Sequence, residues 1–284
     1  SVRWLALGPV NFQPSELVKL FMVIYLAGYL VRRGDEVRES VKGFLKPMAL
    51  VGLIGVLLLL EPDFGAAAVI TATVLGMMFL GGVRLWQFGI LFMVMSAGMA
   101  MLAISSPYRM ARLTSFVNPW ADPFNSGFQL TQALIAFGRG EWFGVGLGAS
   151  VQKLFYLPEA HTDFIFAVLA EEFGLVGVIA VLALFLLLVT RIMVIGVMAH
   201  RKGRAFAGYV AYGIGLWLGL QAIVNVGVNL GVLPTKGLTL PLISSGGSSM
   251  LMTIVALGVV LRIKYELDRD FGAFERVRKP SRRA

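Results

Sequence analysis

The stretch Lys153-Leu-Phe-Tyr-Leu-Pro-Glu-Ala-His-Thr-Asp163-Phe-Ile-Phe166 opens an apolar run that continues, past Glu171 and Glu172, to Thr190. Crossing a hydrocarbon core about 30 Å thick takes roughly 20 mostly apolar residues as helix, so this run is a membrane-span candidate. Lys153, Glu159, His161 and Asp163 stand at its mouth. Ionisable groups against a hydrophobic span are costly, and their default reading is functional.

The rest of the chain has the same character. Hydrophobic residues make up 57% and charged residues 14%, with a mean hydropathy of +0.80. A soluble domain carries about 25% charged residues, so water-soluble classes are excluded. The chain has no cysteine and two histidines, His161 and His200. Disulfides, thiolate metal sites and multi-histidine metal sites are therefore excluded as well. The net charge of +9 does not imply nucleic acid here, because in a membrane protein the placement of basic residues matters more than their sum.

Seven apolar segments qualify as spans, at about 15–31, 44–60, 64–82, 85–105, 164–190, 206–231 and 247–263. The expected architecture is an all-α, polytopic membrane helical bundle forming one domain over 1–284. On one side of it, 32–46, 83–84, 191–205 and 262–284 together hold 18 of the 25 Lys and Arg residues. By the positive-inside rule these segments are cytoplasmic, so the tail 264–284 is cytoplasmic and Ser1 lies outside. An outer start with no visible leader suggests that further spans precede this sequence. The long connection 106–162 is then extracytoplasmic. It is structured rather than simply polar: Phe128–Phe137 has apolar residues at helical spacing and suits the membrane interface.

Most of the acidic residues outside the cytoplasmic segments lie at outer helix ends or just inside the membrane, which points to a polar cavity opening outward. Glu16 and Lys19 are three apart and share a helix face, as an ion pair or as cavity groups. Glu61 and Asp63 flank a Pro-containing turn, where Asp63 either caps the next helix or faces the cavity. Gly144-x-Gly-x-Gly148 is ordinary turn chemistry or an anion-binding run of amides, with Arg139 and Lys153 on either side. Pro234–Pro241 and Leu242–Ser249 break helical structure at membrane depth, which requires surrounding protein or a watery cavity. Lys236 is the cation of that segment. Asp163 is either the N-cap of the following span or a cavity carboxylate. Glu171 and Glu172 lie about 12–14 Å deeper if the helix is continuous, and a break at Gly174 would separate a short segment from the span proper. On the residues alone, a transporter of a charged substrate and an enzyme acting on a lipid-anchored anionic substrate both remain open. The structured outer connection favours the enzyme.

Several motifs resemble the SEDS family (shape, elongation, division and sporulation proteins). They are Phe12-Gln-Pro-Ser-Glu-Leu-Val-Lys-Leu20, Glu61-Pro-Asp-Phe-Gly65, Asn118-Pro-Trp120, Gly127-Phe-Gln-Leu-Thr-Gln132, Tyr156-Leu-Pro-Glu-Ala-His-Thr-Asp-Phe164 and Pro234-Thr-Lys-Gly237 through Ser249. Ala160 and Lys236 resemble the division branch more than the elongation branch, whereas Ser245 stands where the family usually shows tyrosine. The resemblance implies a ten-helix fold, of which this sequence would hold about seven transmembrane helices and a large structured outer loop.

It further implies a peptidoglycan glycosyltransferase that polymerises lipid II at the outer face of the cytoplasmic (inner) membrane, at the division septum. The implied partners are a class B penicillin-binding protein resembling FtsI, with FtsQ, FtsL and FtsB as regulators, besides membrane lipid. Asp163 matches the family's essential aspartate, as general base or as ligand of a divalent Mg²⁺- or Mn²⁺-like ion; no other cofactor is implied. Glu16 is the second catalytic carboxylate. A departing diphosphate requires cations, for which Lys19, Arg139, Lys153 and Lys236 are the candidates. Glu61, Asp63, Ser244 and Gly246 complete the expected substrate contacts. A lipid II flippase and a non-catalytic division scaffold are the alternatives.

Overall fold

The computed structural model describes residues 5–7, 10–61, 63–90, 92–93, 119–122, 127–234 and 237–278; for 5–7, 10–11, 155–156 and 270–278 it describes the backbone alone. The protein is an all-α, polytopic membrane bundle, entered through a short antiparallel hairpin. In that hairpin β1 (Leu5–Leu7) pairs with β2 (Val10–Phe12), Leu5 opposite Phe12. Three-residue strands are too short to leave an alternating pattern, so the sequence gives no sign of them.

Helix α1 (Pro14–Glu39) starts on a proline, whose missing N–H is no loss in a first turn. Ser40 then separates it from α2 (Val41–Leu60), and its hydroxyl accepts from the Lys42 amide at 3.1 Å. α3 (Phe64–Leu80) follows a turn closed by Asp63. Within the long connection 106–162 lie α4 (Phe128–Gly140) and a π-helical turn, Gln152–Tyr156. The remaining helices are α5 (Ile165–Arg201), α6 (Ala205–Asn229) and α7 (Gly247–Arg278).

Of these, α1, α2, α5 and α6 are long and apolar enough to cross a membrane, and α3 is shorter, at 17 residues. Seven spans are expected from hydropathy; four meet the criteria of length and apolarity among the described residues. The expected span 85–105 is helical at 85–90 and 92–93, and its remainder lies outside the described residues. The expected span 247–263 is the first half of α7, a 32-residue helix that runs on into the segment expected as a cytoplasmic tail, as far as Arg278. Its basic residues shorten its apolar stretch without ending the helix, because Lys and Arg are good helix formers.

α6 is the hub, packing on α5, α1 and α3. Trp217, Ile214 and Leu218 from α6 are fully buried with Leu26 of α1 and Met77 and Met78 of α3. A second cluster seats α4 on α5 through Ala133, Ala136, Phe164 and Ala167. By contrast, the apolar window of α5 is only 17% buried. Such a helix, hydrophobic yet unburied, faces lipid.

α5 is broken at Gly174, which has φ 64° and ψ −163°, a conformation essentially confined to glycine. The break frees helix carbonyls and amides, and the loop after α4 takes them up. Val145 and Gly146 donate to the carbonyls of Glu171 and Glu172 at 2.9 and 3.2 Å. Leu175 and Val176 donate to the carbonyls of Glu141 and Trp142 at 2.9 and 3.2 Å. The fit tolerates no side chain: a Cβ on Gly174 would stand 2.4 Å from the Gly144 nitrogen, and one on Gly144 would stand 2.1 Å from the Glu172 carbonyl oxygen.

Candidate active site

The C-terminal half of α6 carries Gln221, Asn225 and Asn229 at four-residue spacing, all but fully buried. Spacing of four puts them on one face, rising about 6 Å per step. This ladder joins the polar groups of four other elements. A buried amide is stable only where its hydrogen bonds are met, so the ladder fixes its neighbours as well as itself.

At its lower rung, Gln221 Oε1 accepts from Lys19 Nζ of α1 and from Trp217 Nε1, each at 2.8 Å. Lys19 Nζ also donates to Glu16 Oε1 at 2.8 Å and lies 5.2 Å from the centroid of the Trp217 ring. Glu16 and Lys19 are thus a buried ion pair on one helix face. Glu16 Oε2 has no hydrogen-bond partner among the described residues, and neither does Thr73 Oγ1. A void of about 10 Å³ lies between Lys19, Thr73 and Trp217, close to the least space that holds one water. Next to the pair, Asp63 Oδ1 caps α3 by accepting from the Ala66 amide at 3.1 Å. Asp63 Oδ2 accepts from Gln13 Nε2 at 3.0 Å and Ser15 Oγ at 3.1 Å, binding the start of α1 to the start of α3. Glu61 is exposed at the end of α2.

At the upper rungs, Asn225 Nδ2 and Asn229 Nδ2 both donate to the Asp163 carbonyl at 3.0 Å. Asn229 Oδ1 accepts from the Ala167 amide at 3.1 Å, so it holds the first turn of α5 too. Asp163 is not the N-cap of α5; that position is Phe164, which lacks a side-chain cap bond. The extended segment 237–240 runs alongside the ladder. The Leu238 carbonyl accepts from Asn225 Nδ2 at 2.5 Å and the Thr239 carbonyl from Gln221 Nε2 at 2.9 Å. A Cβ on Gly237 would lie 3.0 Å from Asp163 Oδ2, so the carboxylate of Asp163 approaches this backbone at its one glycine. Lys236, the preceding residue, lies outside the described residues.

Ser244 is buried and structural in its contacts. Its hydroxyl donates to the Thr162 carbonyl and accepts from the Leu240 amide, each at 2.6 Å. Ser245 Oγ donates to the His161 carbonyl at 2.8 Å. Together these bonds set the backbone on which Asp163 sits. Gly246 receives the Met250 amide at 2.8 Å and so starts α7.

Arg139 and Lys153 belong to a different cluster, around Glu171 and Glu172. Glu171 is fully buried; its carboxylate meets Arg139 Nη1 at 3.2 Å, Ser150 Oγ at 2.5 Å and the amides of Val151 and Gln152 at 3.2 and 3.3 Å. Lys153 Nζ pairs with Glu172 Oε1 at 2.5 Å. This cluster lies eight to nine residues along α5 from Asp163, about 12–14 Å by helical rise. The structure therefore brings Asp163 and the Glu16–Lys19 pair onto one ladder, and sets Arg139 and Lys153 apart. The amides of Gly144 and Gly146 are taken up by protein carbonyls. The ladder itself is absent from the sequence reading above. Polar residues at i, i+4 and i+8 inside an otherwise apolar span are its signal.

Residues 1–269 match the model of the cell cycle protein family of FtsW, RodA and SpoVE. The chain belongs to this family. Among its relatives, a probable peptidoglycan glycosyltransferase FtsW of Nitrosococcus halophilus is 65% identical over 266 residues, covering 94% of this chain and 68% of the relative. Its counterpart in Coxiella burnetii is 62% identical over 268 residues, covering 94% and 72%. Among solved structures, a chain of a peptidoglycan synthase complex, studied for the coordination of polymerization and crosslinking, superposes with a TM-score of 0.76 at 32% identity, covering 93% of this chain and 73% of that one. The rod shape determining protein RodA of Thermus thermophilus gives a TM-score of 0.60 at 32% identity, covering 91% and 67%. The family's fold is thus the fold of this bundle.

Proposed function

We propose that this chain is a peptidoglycan glycosyltransferase, polymerising lipid II into glycan strands at the outer face of the cytoplasmic membrane during division. Identity above 60% to peptidoglycan glycosyltransferases, over nearly the whole chain, carries the reading. The site supports it chemically. Strand extension needs a group to take the proton of a sugar hydroxyl and positive charge to stabilise a departing diphosphate.

Asp163 is the general base of this proposal. Its backbone is pinned by two asparagine amides, which fixes the point from which its carboxylate reaches out. Glu16 and Lys19 form a charge-balanced pair below it, and Glu16 is the second carboxylate. Lys19 uses two of its three N–H donors on Glu16 and Gln221. Lys19 and Lys236 are the diphosphate contacts; Arg139, half-exposed and with N–H groups beyond its bond to Glu171, and Lys153 lie in the separate cluster about 12–14 Å along α5 and would meet the substrate away from the reacting centre. Glu61, Asp63, Ser244 and Gly246 shape the site around them. Among the described residues no three His, Asp or Glu side chains converge as a metal site. A divalent ion at Asp163 would therefore complete its shell from substrate phosphate and water, as Mg²⁺ does.

The proposal includes the full family architecture of ten helices, about seven of them here. It includes a cytoplasmic C-terminus, on the basic side of the bundle, and a septal location. Its partners are a class B penicillin-binding protein resembling FtsI, and FtsQ, FtsL and FtsB.

The test is glycan-strand synthesis from purified lipid II by the protein with its penicillin-binding partner, wild type against Asp163→Asn. Strands from wild type and none from an equally folded variant are expected. Equal synthesis by both would remove Asp163 from the chemistry. No synthesis by either, with the complex intact, would favour a flippase or a scaffold.

A further inference from the structure

The loop between α4 and the π-helical turn is an unusual outer loop. From Trp142 to Val151 its ten residues include no charged side chain, and Ser150 is the sole polar one. Trp142, Phe143 and Leu147 are 66%, 82% and 79% exposed. Water would leave this patch unfavourable by about 25 cal/mol for each Å² of apolar surface. The loop is not loosely attached, because its backbone is hydrogen-bonded into the break of α5. Its depth is therefore set by α5.

α5 supplies the ruler. Its first basic residue beyond the break is Arg191, exposed at the far end of the apolar run. Arg191 is seventeen positions beyond Gly174, about 26 Å of helix. A hydrocarbon core is about 30 Å thick. With Arg191 at one interface, Gly174 falls at the other. The helix surface between them exposes Leu175, Val176, Ile179, Leu182 and Leu186. The backbone at Trp142 is tied to this stretch of α5, since the Trp142 carbonyl accepts from the Val176 amide. Tryptophan is enriched at this level of a bilayer. Non-helical backbone survives there only with its polar groups met by protein, which the break of α5 achieves.

We infer that residues 142–147 are a membrane-interface anchor, seating Trp142, Phe143 and Leu147 among the lipids of the leaflet opposite Arg191. Glu171 and Glu172 hold the anchor's base. The four partners of the Glu171 carboxylate and the Lys153–Glu172 pair fix 150–153 against α5. The charged cluster and the uncharged tip divide the loop into a clasp and a foot. The foot sets the depth of the outer half of the molecule, independently of what reaction takes place there.

The chain has no cysteine, so single spin labels can be placed at Phe143→Cys and Leu147→Cys without competing sites. Both side chains are exposed, and neither is in the core. In liposomes of phosphatidylethanolamine and phosphatidylglycerol, power saturation compares accessibility to oxygen and to a water-soluble nickel chelate. Leu184→Cys gives the lipid reference, and His161→Cys, exposed on the outer loop, gives the aqueous reference. The expected result is oxygen exceeding the chelate at 143 and 147, at a depth of about 5–10 Å below the phosphates. Chelate access at both positions equal to that at 161 would overturn the anchor. Shielding from both reagents would also overturn it, because it would mean burial against protein.

Discussion

Replacing Lys19 with methionine tests whether the Glu16–Lys19 pair is a dry, mutually dependent unit. The two side chains are 6% and 1% exposed and joined at 2.8 Å. Methionine keeps the aliphatic stem and removes the ammonium. Glu16 then loses the partner of Oε1, and Oε2 already has none among the described residues. Breaking a buried pair from one side costs about 3–5 kcal/mol, because it strands a charge. Glu16→Gln strands the Lys19 ammonium in turn but should cost less, because the Gln carbonyl can still accept from Lys19. It leaves Lys19 bonded to Gln221 and over the Trp217 ring. Removing both charges with Glu16→Met and Lys19→Met should recover most of the loss, since apolar replacement of a whole buried pair is often neutral. Gln221 Oε1 would keep Trp217 Nε1 in that double variant. The assay is reversible unfolding in mixed micelles titrated with dodecyl sulfate, read as a double-mutant cycle with Glu16→Met and Lys19→Met as its single variants. Lys19→Met losing under about 1 kcal/mol, with additive single variants, would refute the reasoning. The carboxylate would then be solvated in the folded protein. Glycan synthesis should stay absent in the stable double variant, which separates the pair's chemistry from its packing.

Gly174→Ala should destabilise the protein by at least about 1–3 kcal/mol from backbone strain alone, with a further loss from the close contact with Gly144; normal stability by the same titration would mean that α5 is unbroken there. Gly237→Ala places a methyl 3.0 Å from Asp163 Oδ2, so strand synthesis should fall at least tenfold while stability changes by less than about 1 kcal/mol; unchanged synthesis would detach Asp163's placement from this backbone. Asn229→Leu removes the donor to Asp163 and the acceptor of Ala167, and should cost about 1–3 kcal/mol with loss of synthesis. If Asn229→Leu is as active as wild type, the ladder does not position Asp163. Glu171→Gln weakens four contacts at once and should speed proteolytic cleavage within 141–153, checked by limited digestion of protein in liposomes; an unchanged cleavage rate would mean that the clasp does not hold the loop.

Hydropathy and charge placement alone determined the class of this protein: an apolar composition and long uncharged runs leave no alternative to a membrane bundle, and both signals are local. The motifs around Glu16, Asp63 and Asp163 were legible too, because each lies within a few residues of a helix start. Even so, the role of each group was open in sequence. Asp63 turned out to cap a helix and tie it to α1, whereas the N-cap position of α5 falls to Phe164 and not to Asp163. Arg139 and Lys153, grouped by sequence with the glycines between them, are instead held by the carboxylates of α5. What the tertiary structure decided was everything that depends on partners distant in the chain. Lys19 meets Gln221 across 202 positions, and Asp163 meets Asn225 and Asn229 across 62 and 66. The break at Gly174 is of the same kind. A lone glycine in an apolar helix carries no periodic signal, and its freed backbone groups are stable only because a loop some 30 residues earlier supplies the missing bonds. Local sequence fixes which residues can live in a membrane; only the packed chain fixes which polar group each buried polar group will find.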